Sequence, residues 1–170
     1  MKKYLSVVLA CVVVGCATDG GSVVEKVKYD FGIGEKPEGY VPISELVMKR
    51  LDSVGEMEMK RMNREARHGE IKFQDEGGLK GKFYKQVKVY ENAIPLDASA
   101  TSRGSTEDRG YVGYIEYVYR MYESPRKSRR AEAEAEPATI RTGESGHEVY
   151  RYRFGPTGVW DGGEGERTRR

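Results

Sequence analysis

Beyond position 16 the sequence has no cysteine, so a domain built from the rest must hold together without disulfides, and thiolate metal ligation and thiol catalysis drop out together. Histidine is almost as scarce. A catalytic triad would have to use His68 or His147, and neither stands in an HExxH pattern; GxSxG is missing as well. The glycine-rich "GIGEKPEG" lacks the strand-to-helix setting of a phosphate-gripping loop, and pairs of acids such as Glu116 and Asp161 arise by chance among 27 carboxylates. No catalytic residue, metal site or cofactor is therefore expected. Leucine is thin too: after the first ten residues only Leu46, Leu51, Leu79 and Leu96 occur. The core should be small and built mainly on a sheet.

Long apolar runs are missing with one exception. "YLSVVLACVVVG", twelve residues after the basic "MKK", is too short for a membrane span of about 20 residues but suits the core of an export signal. It ends Val13-Val14-Gly15-Cys16, followed by the small, polar "ATDGG". This resembles the lipobox of bacterial lipoproteins, in which small residues precede a cysteine that receives a diacylglycerol before cleavage. The resemblance implies a signal peptide over 1–15 and lipid attachment at Cys16, with two or three acyl chains on the mature protein. The family usually has Leu where Val13 stands. Cys11 is the weaker alternative, since it would leave three valines after the cut. Several chains give stable anchoring, because each buried CH₂ contributes about 0.8 kcal/mol and a single chain holds only marginally. The protein is thus expected to be exported and lipid-anchored to a bacterial membrane. Ala17, rather than Asp, after the cysteine resembles outer-membrane lipoproteins of cells with two membranes.

Cleavage there would remove Lys2 and Lys3 and no acid, leaving 27 basic and 27 acidic residues from the original 29 and 27. The charge surplus belongs to the signal, so nucleic acid is not an expected partner. The expected partners are the membrane, through the lipid, and envelope proteins or cell-wall glycan.

Residues 16–42 read as a lipidated tether broken by Gly and Pro42, with "VKYDF" able to add an edge strand. A helix is expected from Ser44, its N-cap, with Ile43, Leu46, Val47, Leu51, Val54 and Met57 on one side, ending near Arg67. Period-two segments follow. "GKFYKQVKVYE" sets Phe83, Val87 and Val89 against Tyr84, Gln86, Lys88 and Tyr90; "GYVGYIEYVYRMYE" sets Ile115, Tyr117, Tyr119 and Met121 against Tyr114, Glu116, Val118, Arg120 and Tyr122; "HEVYRYRF" sets Tyr150, Tyr152 and Phe154 against His147, Val149, Arg151 and Arg153. "IKF" before "DEGG" suggests one more hairpin, and "GPTG" a turn leading to a short "VWD" strand. The segment 124–146 reads as an exposed insertion and 164–170 as a disordered tail.

The fold class expected is α+β, a single domain over 43–163 in which one amphipathic helix packs on a curved antiparallel meander of three to five strands. The element order is similar to cystatin-like and nuclear-transport-factor-like folds, a likeness of order alone. On the side away from the helix, Tyr84, Lys88, Tyr90, Tyr114, Arg120, Tyr122, Arg151 and Arg153 should share one face. Tyr rings can stack on sugars, and Arg forks can bind carboxylate or phosphate. The same residues could equally be ordinary cross-strand pairs. The functional expectation is a non-enzymatic envelope binding or assembly component. The alternatives are a binding module for an anionic glycan or peptide and a hydrolase with an unrecognised site.

Overall fold

The computed structural model describes residues 23–36, 40–77, 81–101 and 109–168; the expected signal peptide and Cys16 lie outside them. Five antiparallel strands follow one another in chain order, β1 (Glu70–Asp75), β2 (Gly81–Thr101), β3 (Gly110–Glu123), β4 (Ile140–Phe154) and β5 (Glu166–Arg167). Among the described residues three helices accompany them: α1 (Val23–Asp30), α2 (Ile43–Ala66) and α3 (Arg130–Ala135). The architecture is α+β, with α2 laid across an open meander.

Helix α2 buries Ile43, Val47, Leu51, Val54 and Met62, and these meet Tyr90, Tyr111, Ile115, Tyr117, Tyr152 and Phe154 of the sheet. Tyrosines do the work that leucines do in a richer core. Two glycines let helix and sheet approach closely. A Cβ on Gly113 would lie 2.6 Å from Leu51 Cδ2, and one on Gly55 would lie 3.0 Å from the Ala93 Cβ.

The helix start differs from expectation. Pro42, with φ of −55°, brings the chain into the helix directly after itself, so Ser44 falls inside the first turn and caps nothing. The free amide at the helix start is met from outside: Asp30 Oδ2 accepts from Ile43 N at 2.9 Å and from the Tyr111 hydroxyl at 2.5 Å, while Oδ1 accepts from the Tyr40 hydroxyl. A carboxylate there also suits the positive end of the helix dipole.

Asp30 closes α1, and this revises the tether. Residues 23–30 form a helix instead of an extended linker or edge strand, and Val27 and Phe31 pack against the core. The 124–146 segment is likewise more engaged than expected. Ser124 and the Ala133 methyl are fully buried, α3 packs on β2 with Lys85 Nζ donating to the Glu134 carbonyl at 2.9 Å, and β4 already begins at Ile140. The tail is ordered through Thr168, with β5 pairing to β4. Backbone hydrogen bonds recruit these segments, and hydropathy alone does not report that.

Candidate functional site

The sheet has an inner side, toward α2, and an outer side. On β3 the outer row contains Tyr114, Arg120 and Tyr122, and on β4 Arg151 and Arg153, since Tyr114 pairs with Arg151 and Val112 with Arg153. These five expected residues share that face, in two groups: Tyr114, Arg151 and Arg153 at one end of the strands and Arg120 and Tyr122 toward the other. The other three are not. Lys88 pairs with Met121 and Tyr90 with Tyr119, which puts both on the inner side, and Tyr90 is buried in the core. Tyr84 shares their side and lies under the Arg126 guanidinium, 4.3 Å from its ring centre.

The reversal has a local cause. Between Tyr90 and Asn92 the register shifts, leaving Glu91 as an extra residue, so the two halves of β2 present opposite parities to the core. Asn63 of α2 fixes the kink, accepting from Tyr90 N at 2.7 Å and donating to the Tyr90 carbonyl at 2.8 Å. A second shift follows Pro95, where proline within a strand marks a bulge.

The cations of the outer face are matched by acids. Arg120 Nε lies 3.2 Å from Glu91, whose other oxygen accepts from the Tyr122 hydroxyl at 2.9 Å and raises that phenol above its ordinary pKa. Arg151 and Arg153 reach Glu166 at 2.5 and 2.8 Å; their hydrogen bonds, Arg151 first, hold its carboxyl below the usual range. Beside them lies an open recess of 250 Å³ lined by Arg151, Arg153, Asp161, Gly163, Glu164 and Glu166.

The inner side carries two polar clusters that sequence reasoning missed. Glu148, buried, accepts from Lys88 Nζ at 2.7 Å, from the Tyr90 hydroxyl at 2.6 Å and from the Tyr150 hydroxyl at 3.1 Å, and pairs with Arg167 at 3.0 Å. Burial pushes its pKa up, but these partners outweigh it and hold the carboxyl below its ordinary value. Glu58, also buried, meets Arg61 in a two-point pair at 2.9 and 3.0 Å. Both left a sequence signal: Glu148 has the parity of Tyr150 and Tyr152, and Glu58 continues the 47, 51, 54 stripe of α2.

Chemically, the Glu148 cluster is arranged to hold charge in place. An ionised acid surrounded by four donors is a poor base, and burial drives the Tyr90, Tyr117 and Tyr152 phenols upward, keeping them neutral. His68, in the turn after α2, and His147, on β4, are both exposed. Among the described residues no group of acids and histidines is placed to hold a metal ion. No protein-family model, curated protein or solved structure matches the chain. The outer face presents Tyr and Arg groups beside the exposed carboxylates Glu91 and Glu166.

Proposed function

We propose that this chain is a lipid-anchored bacterial envelope protein whose domain works by binding and assembly, not by catalysis. Cys16 carries the lipid, on the lipobox-like sequence around it. The outer face takes an anionic partner. The observation that carries this reading is the placing of Tyr114, Arg120, Tyr122, Arg151 and Arg153 on one side of a sheet whose buried Glu148, on the other side, already has its donors. Glu91 and Glu166 hold the arginines at the surface, where a ligand carboxylate or phosphate can compete for them.

A photo-crosslinking residue at Tyr114 tests this in cells, with one at Met57, exposed on α2, as the control. Adducts with an envelope component are expected from position 114 and not from 57, and they should fall when Arg120 and Arg151 are both replaced by Glu. Identical adducts from both positions, or none from either, would count against the reading.

A further inference from the structure

Strand β4 offers an edge that its own chain uses only in part. β5 pairs with it at Tyr150 and Arg151, and Thr168 donates from N and Oγ1 to the Val149 carbonyl at 2.8 and 3.0 Å. From Ile140 to Glu148, β4 pairs with β3 on one side and, among the described residues, with no strand on the other. Antiparallel alternation that turns the Val149 main chain toward this edge turns those of Ser145 and His147 the same way.

Residues 161–168 strap the end of this edge without contributing an apolar side chain: the sequence is "DGGEGERT". Their hold is main-chain pairing and charge. Glu166 reaches outward to Arg151 and Arg153, Arg167 inward to Glu148, and Glu164 to Arg61 at 3.1 Å. Apart from Arg167 on the buried Glu148, these are exposed pairs, weak and salt-screened, and segments with little buried apolar surface open far more readily than a core. The outer row of the edge is basic, with Arg141, His147, Arg151 and Arg153 and no acid.

We propose that the β4 edge is a peptide-binding site and that the C-terminal strap is its resident substitute. An extended acidic segment of another protein adds as a strand antiparallel to β4, its carboxylates taking the place of Glu166 at Arg151 and Arg153. A strand longer than the strap gains the main-chain bonds left open toward Ile140. The inference rests on the binding reading above and names the class of partner.

The test uses full-length protein in detergent and two labelled twelve-residue probes, alternating Glu-Thr and alternating Lys-Thr, followed by fluorescence anisotropy. Only the Glu-Thr probe should bind. Thr168→Pro removes both strap hydrogen bonds to the Val149 carbonyl and should tighten binding about fivefold by raising the open fraction. Arg151→Glu with Arg153→Glu should weaken it about tenfold or more, and the gentler Arg151→Gln with Arg153→Gln should weaken it in the same direction. Hydrogen exchange at the Ser145 and His147 amides should slow on binding. No binding by either the parent or Thr168→Pro, or equal binding of both probes, overturns the proposal. Binding that leaves those two amides unprotected removes strand addition while leaving the outer-face reading standing. Conversely, protected amides in a protein that gives no adducts from position 114 in cells would retain the peptide site and remove the envelope role.

Discussion

A buried carboxylate needs donors, and Glu148, with 2 % of its side chain exposed, has Lys88, Tyr90, Tyr150 and Arg167. Glu148→Gln puts an amide N–H₂ against the Lys88 ammonium and removes the charge that Arg167 faces. The cost should be about 2 kcal/mol near neutral pH, at the low end for a charged network because Lys88 and Arg167 both reach water. The pH dependence follows from the lowered pKa. The folded carboxyl titrates below its ordinary 4.5, so its contribution is fully present above that value and is lost as pH falls through the folded one. Urea unfolding of parent and Glu148→Gln should therefore differ most near pH 7 and converge as pH falls below 4.5. A gap that stays constant would mean that Glu148 is not ionised in the fold. Finding this residue from sequence required trusting the parity of β4 over the habit of placing acids in water.

At the scale of elements, the joint between α1 and α2 turns on one side chain. Asp30→Ala removes the acceptor for Ile43 N and for the buried Tyr111 hydroxyl, and should cost about 2 kcal/mol, measured as a lowered melting temperature. Asp30→Asn keeps an oxygen for the amide and should lose less. Trypsin should cut at Lys26 and Lys28 sooner in Asp30→Ala than in the parent; equal rates would mean that α1 is not held through this contact. The periodicity of α2 and the alternation of β3 and β4 were legible because one face of each is buried. Bulges were not: Glu91 carries no residue signature, although Pro95 announces the shift beside it. Neither were α1 and β5 legible, whose places depend on a carboxylate and on main-chain pairing from far along the sequence. The candidate site divided accordingly, with β3 and β4 contributing as expected and β2 reversed in the half that precedes its kink.

At the scale of the molecule, the docking of α1 changes what anchoring at Cys16 would mean. Only six residues separate Cys16 from Val23, and a fully extended chain spans at most about 3.6 Å per residue, so α1 would be held within about 25 Å of the lipid headgroups. The sheet runs on from there: β3 has 14 residues, roughly 45 Å at about 3.3 Å each. Tyr111 and Phe154 would face the membrane end, with α3 and the start of β4 farthest out. All of this depends on the lipid. The most direct measurement is mass spectrometry of the mature amino terminus from membrane fractions. The account predicts a chain that begins at Cys16 with diacylglycerol in thioether linkage, and its loss in Cys16→Ser but not in Cys11→Ser. An unmodified amino terminus downstream of Cys16, on protein recovered free of membranes, would contradict it.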